Sequence, residues 1–251
     1  MLFFNSSQCG LVMHLKIFSN LTGVTKRKKM FVGHYAAAYA LKGKETTASL
    51  GMLFIATQFV DILFFPFATL GIEKINFVEG FTEVNNFQME YPFTHGLLGS
   101  LVWSLLFYVL YRYVLVKKKP NGKRVALIMA LGVLSHWFVD LLVHTPDLPL
   151  IAGEPKFGFG LWHNKMASFI LETTILVLAF LYYMKNTKSA SSMNTYLHFA
   201  FLLFMLFANY LNFYVLPPNE DVLQLTISAL FFYFLFAGLA HLLDRRKMKS
   251  A

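Results

Sequence analysis

Six apolar segments, each close to the ~20 residues that cross a hydrocarbon core, leave this 251-residue chain few ways to fold. They run roughly over 47–70, 96–116, 125–145, 166–184, 193–216 and 222–243. The expected fold class is all-α: a polytopic helical membrane protein of about six transmembrane helices, preceded by a short N-terminal helix. Composition agrees, since 57% hydrophobic residues, 14% charged residues and a mean hydropathy of +0.54 lie outside the soluble range.

The charges between the segments alternate in sign. Lys42 and Lys44, then Lys117 to Lys119 with Lys123 and Arg124, then Lys185 and Lys188, then Arg245 to Lys247 with Lys249 fall on one side. Glu73, Glu79, Glu83 and Glu90, then Asp147 and Glu154, then Glu220 and Asp221 fall on the other. By the positive-inside rule both termini are cytoplasmic and the protein is a multi-pass protein of the cell (inner) membrane. The net charge of +9 then points to the lipid bilayer as partner and away from nucleic acid. Cys9 is the single cysteine, which excludes an internal disulfide framework and a Cys-based zinc site.

Residues 1–29 read as a leader or a non-native extension, poorly ordered, with Met30 as the natural start and 30–251 as one transmembrane domain. Their basic run, Lys26 to Lys29, follows the apolar part, the reverse of a signal peptide. Two longer connections on the acidic side are expected to lie in the headgroup region or to fold over the outer mouth as lids: GIEKINFVEGFTEVNNFQMEYPF and TPDLPLIAGEPKFGFGLWHNK.

Ionisable residues inside the spans are where chemistry is expected. His136, Asp140 and His144 recur every fourth residue. On a helix they share a stripe about 80° wide that rises ~12 Å. Surrounded by Leu, Val, Phe and Trp, the stripe needs a metal, other polar side chains or a water-filled cavity. The topology puts Asp61 in the same outer half, with His95 and His163 opening spans on that side. His198, His241 and Asp244 sit near cytoplasmic ends and read as interfacial. Imidazole and carboxylate are ligands of zinc, manganese and non-haem iron, and a divalent cation removes the cost of burying several carboxylates. A hydrogen-bonded His, or an Asp61–His ion pair, is the plainer alternative.

Gly33-His34, Asp61, Thr94-His95 and Gly132-x2-Ser135-His136-x3-Asp140 occur in that order. In this the stretch from about Phe31 to Leu150 resembles the bacterial family of predicted inner-membrane metal-dependent hydrolases, which includes the LexA-regulated type. The resemblance implies a divalent metal ion, zinc or manganese, held by His34, Asp61, His95, His136 and Asp140, with Asp61, His136 and Asp140 catalytic. His144, Asp147, His163 and Glu172 would support the centre or line its entrance. The chain departs from the family at Gln58 to Asp61, which lacks one acid, and at Glu90 to Phe93, where the family has His-Arg-Gly; both put a second metal, or a phosphate-binding group, in doubt.

Counting back from Lys42 at ~1.5 Å per residue leaves His34 only ~12 Å above the cytoplasmic boundary, against ~20 Å for Asp61. His34 joins the centre only if its segment is a re-entrant half-helix. The expected function is hydrolysis of a lipid or a lipid-linked ester or phosphoester. The alternative is a transporter or proton-coupled permease using the same acids and histidines as a relay, and the third possibility is a scaffold whose polar stripe only fixes helix packing.

Overall fold

The computed structural model describes residues 32–118, 120–151, 153–189, 191–216 and 220–247, with no side-chain description after Asp244. The reading of 1–29 as a leader, and of Met30 as a start, lies outside the described residues. The chain is mostly helical: α1 (Tyr35–Lys44), α2 (Leu50–Thr57), α3 (Phe59–Thr69), α4 (Leu97–Leu110), α5 (Gly122–Val143), α6 (Lys165–Asn186), α7 (Ser192–Tyr210) and α8 (Val222–Lys247). Wider turns of π type extend α4 over Tyr111–Leu115 and α7 over Leu211–Val215. Ser49, Asn164 and Ser191 cap α2, α6 and α7 by accepting a backbone amide of the first turn, which satisfies donors that the helix leaves open.

Among the described residues five helices are long and apolar enough to cross a membrane: α5, α6, α8, and α4 and α7 with their extensions. The sixth apolar segment differs from expectation. It is broken into α2 and α3, which meet at a 47° bend. The break falls at Gln58, beside Thr57, whose hydroxyl bonds back to the Phe54 carbonyl. Outward faces carry the membrane signature. On α4, Leu98, Leu101, Val102, Leu105, Leu106 and Val109 are all exposed at helical spacing, a stripe that lipid can cover.

Inside this outer ring lie the two short helices. α1 packs on α6, α2 and α5, while α2 also packs on α8. Their buried residues, including Tyr35, Tyr39, Leu50, Leu53 and Phe54, form the centre of the main apolar core with Phe180, Tyr183 and Phe236. A close approach of α2 to α8 depends on Gly51, where a Cβ would stand 2.5 Å from His241 Cβ and 2.6 Å from the Ala237 carbonyl oxygen.

One end of the bundle is tied by a buried ion pair. Lys42 Nζ lies 2.8 Å from Asp244 Oδ1 and donates to the carbonyls of Thr46 at 2.7 Å and Ala48 at 2.6 Å. Asp244 Oδ2 also accepts the Leu50 amide at 2.9 Å, so one carboxylate joins α1, the start of α2 and the end of α8. Arg124 pairs with Glu45 at the same end. The expectation of interfacial positions is therefore corrected for Asp244 and His198. Both are buried, and His198 is held by Tyr183 at 3.0 Å and the Asn194 carbonyl at 2.7 Å. His241 is exposed, with Ser49 beside it.

The other end carries two small antiparallel ribbons that an all-α expectation does not contain. β1 (Lys74–Phe77) pairs with β2 (Phe87–Glu90) in the register Lys74 opposite Glu90, Ile75 opposite Met89 and Phe77 opposite Phe87. Alternation puts Ile75, Phe87 and Met89 toward the bundle. β3 (Leu148–Pro149) pairs with β4 (Lys156–Phe157) in the second long connection.

Candidate metal centre

Seven donor atoms meet where α1, α3, α5 and the start of α4 converge. His34, His95, His136, Asp140 and His144 are all buried, and Asp61 nearly so. They surround Asp140. Its Oδ1 lies 2.9 Å from His34 Nε2 and 3.6 Å from His144 Nε2; its Oδ2 lies 3.2 Å from His136 Nε2 and 3.9 Å from His95 Nε2. Asp61 Oδ1 lies 3.2 Å from His95 Nε2 and 3.7 Å from His136 Nε2.

The local fold explains each position. α1 is ten residues long, hence ~15 Å, and carries His34 inward from the end held by Lys42. The break at Gln58 shortens and tilts the segment that holds Asp61, so His34 and Asp61 line one cavity despite their unequal counts along straight helices. On α5 the fourfold spacing presents His136 and Asp140 on one face, and His144 follows as the residue that ends the helix.

Hydrogen bonds on the far side of each ring decide which nitrogen keeps a lone pair. His136 Nδ1 is 2.8 Å from the Thr57 carbonyl oxygen, which can only accept, so the ring proton sits on Nδ1. For His95, Nδ1 faces Thr94 Oγ1 at 2.9 Å, while that hydroxyl donates to Glu73 Oε2 at 2.8 Å. Glu73 Oε1 also accepts the amides of Phe93 and Thr94, each at 2.9 Å. Since the Thr94 proton goes to the carboxylate, His95 Nδ1 must donate to Thr94 Oγ1. His144 Nδ1 donates to Asp147 Oδ1 at 3.0 Å. With Nδ1 of these three rings donating outward, each Nε2 is turned toward a carboxylate oxygen.

A nitrogen-to-carboxylate contact of 3.2 Å in a buried site holds either a proton on Nε2 or a metal ion that both atoms ligate. The observed spacings suit a metal. With ligand bonds of ~2.1 Å, neighbouring ligand atoms stand ~3.0 Å apart on an octahedron and ~3.4 Å on a tetrahedron. Two groups meet the geometry for holding an ion, His34 with His136 and Asp140, and Asp61 with His95 and His136. Asp140 Oδ2 is buried with no hydrogen-bond partner, and His34 Nδ1 is likewise without one.

The site opens into a small cleft that is continuous with the outside. Its floor is His34, Asp61, His95, Asp140 and His144; its walls are mostly apolar, with Phe64 and Phe65 from α3, Leu225 from α8, and Ile75, Phe87 and Met89 of the hairpin overhead. Among the described residues no Lys or Arg lines it. Tyr233 from α8 donates to Asp61 Oδ2 at 2.6 Å. Trp162 packs against His144 with ring centroids 3.9 Å apart and planes inclined at 41°. Tyr91, whose hydroxyl is 3.1 Å from His144 Nδ1, is pushed well above its usual pKa by burial and then by Asp147, so it stays protonated.

Of the residues singled out in the sequence, the structure brings together His34, Asp61, His95, His136 and Asp140, with His144 and Asp147 against them. Glu172 is buried behind His34, where it accepts the Gly33 amide at 3.4 Å, and it lines a separate small cavity. His163 is not brought in. It is exposed on the short turn Leu161–His163, and its neighbour Trp162 faces the site instead. Glu73, Thr94, Tyr91 and Tyr233 complete the surroundings. Only the pairing of Thr94 with His95 carried a signal for any of them, since the others rest on contacts 20 to 172 residues apart. Comparison of the chain with protein-family models, curated proteins and solved structures finds no match.

Proposed function

We propose that this protein is a multi-pass inner-membrane hydrolase that uses a divalent cation at the Asp61, His95, His136 and Asp140 cluster to cleave a lipid or lipid-linked ester or phosphoester. One observation carries the reading: in a buried site the Nε2 atoms of His34, His95 and His136 converge on oxygens of Asp61 and Asp140 at the spacing of ligands around one ion. In this reading the α2–α3 pair and the five long helices make six crossings. The basic end held by Lys42 and Arg124 faces the cytoplasm, as do both termini, and the hairpin end faces outward.

When bound, a divalent cation supplies Lewis acidity and lowers the pKa of water toward neutrality. The chain's own residues do the rest. Thr57 and the Glu73–Thr94 pair hold His136 and His95 in the tautomer whose Nε2 can ligate. Tyr233 fixes Asp61 by donating to Oδ2, which turns Oδ1 toward His95 and His136 as a ligand for the ion. Phe64, Phe65, Leu225 and the hairpin exclude bulk water and accommodate acyl chain, so a substrate would place its polar group on the His/Asp floor.

The test is hydrolysis by the purified full-length chain in lipid vesicles, offered uncharged lipid esters and lipid phosphoesters with zinc or manganese present. Cleavage that requires the ion and falls at least 100-fold in Asp61→Asn supports the proposal. Saturable movement of an ion or solute with no cleavage would favour a carrier built on the same residues.

A further inference from the structure

We propose that the centre holds two divalent cations, bridged by Asp140 through its two separate oxygens. This rests on the metal-centre reading above and goes beyond it in the number of ions and in the role of His34 and His144. The donor set is too large for one ion: four imidazole nitrogens, two oxygens of Asp140 and one of Asp61 make seven atoms. A zinc ion takes about four such ligands.

The set also divides. Asp140 Oδ1 faces His34 and His144 at 2.9 and 3.6 Å, whereas Oδ2 faces His136 and His95 at 3.2 and 3.9 Å. Asp61 Oδ1 stands with the second group. In the proposal one ion is held by His95, His136, Asp61 and Oδ2 and the other by His34, His144 and Oδ1, which divides the group His34, His136 and Asp140 between the two ions and draws His144 inward. The rings of His34 and His136 are stacked 4.1 Å apart at 24°, each aimed at a different oxygen of the same carboxylate. That offset matches the ~3.5–4 Å between ions in two-metal sites. His144 is built as a ligand rather than an entrance residue, because Asp147 holds its Nδ1 at 3.0 Å in the carboxylate–histidine arrangement that orients metal-bound rings. Asp140 Oδ2, buried and without a hydrogen bond, is the atom that a second bond to metal would satisfy. The missing acid at Gln58 to Asp61 does not leave the second ion without ligands, since His34 and His144 supply them from α1 and the end of α5.

The experiment uses full-length protein in detergent micelles, stripped with chelator and reloaded with Mn²⁺ or Co²⁺ alone. Ions per chain are counted by elemental analysis, and coupling between them is read by electron paramagnetic resonance. Two ions per chain with an exchange-coupled spectrum are expected. His34→Ala and His144→Ala should each hold one ion and give an uncoupled spectrum. His34→Gln serves as a second variant if either alanine variant fails to fold, and the wild-type spectrum needs no variant. One ion per chain in the wild type overturns the two-ion proposal and leaves the metal-centre reading standing. Two ions without coupling overturn the Asp140 bridge, and no bound ion overturns both.

Discussion

Replacing Glu73 by Gln tests how far the tautomer of His95 is set from outside the metal centre. Glu73 is buried, 1% exposed, and its carboxylate accepts three donors: the Phe93 amide at 2.9 Å, the Thr94 amide at 2.9 Å and the Thr94 hydroxyl at 2.8 Å. An amide has one acceptor oxygen, and the two backbone amides require it. Its NH2 then meets Thr94 Oγ1, and the hydroxyl proton turns toward His95 Nδ1. The His95 proton moves to Nε2, where it points at Asp61 and removes the lone pair that ligates. Partners of this kind are worth 10–100-fold in metal affinity, about 1.4–2.7 kcal/mol. Thr94→Val interrupts the same chain, so Glu73→Gln combined with Thr94→Val should lose no more than the worse single variant. Affinity is measured by competition with a calibrated chelator. Unchanged affinity in Glu73→Gln, or strictly additive losses in the double variant, would refute the reasoning.

Other consequences concern the frame that presents the site. Asp244→Ala strands the buried Lys42 ammonium and the Leu50 amide, and should cost about 3–5 kcal/mol in thermal unfolding. Lys42→Met with Asp244→Leu should recover most of it, and an unrecovered double variant would show that the pair is not the cause. Gly51→Val drives a side chain into His241 and the Ala237 carbonyl, so α2 and α8 must separate; a loss of about 1–3 kcal/mol is expected, and wild-type stability would contradict the close packing. Chelation should lower the unfolding temperature of the wild type, because an ion at 100 times its dissociation constant contributes about 2.7 kcal/mol. The same treatment should leave His136→Ala unmoved.

The helical frame was legible because hydropathy over 20 residues reports a property of the backbone in lipid, independent of partners. The break at Gln58 was not, since the segment 47–70 stays largely apolar through it and Thr57 and Gln58 interrupt the pattern no more than Asp61 and Pro66 do further on. That break is what reconciles His34 with Asp61, whose separation in a straight-helix count had made His34 doubtful. His136 and Asp140 could be paired from spacing alone, as they share one helix face. The hairpin at Lys74–Phe77 and Phe87–Glu90 left only a faint alternation in a stretch with many acids, which read equally well as an interfacial segment. Lys42 reads as a boundary charge open to water, yet it is buried: a partner 202 residues away leaves no local signature. His144 and His163 looked alike in sequence, and only the path of the loop between them puts Trp162, rather than His163, against the site.

The central claim is that a metal ion, not a proton, lies between the histidines and acids. Diffraction from crystals of the zinc-loaded protein, collected on both sides of the zinc absorption edge, tests it directly. The account predicts an anomalous peak within ligand distance, ~2.0–2.2 Å, of His95 Nε2, His136 Nε2 and Asp140 Oδ2, and absent from crystals of His136→Ala. A well-ordered site with no peak, in which His136 Nε2 and Asp140 Oδ2 keep their 3.2 Å contact through a shared proton, would contradict it.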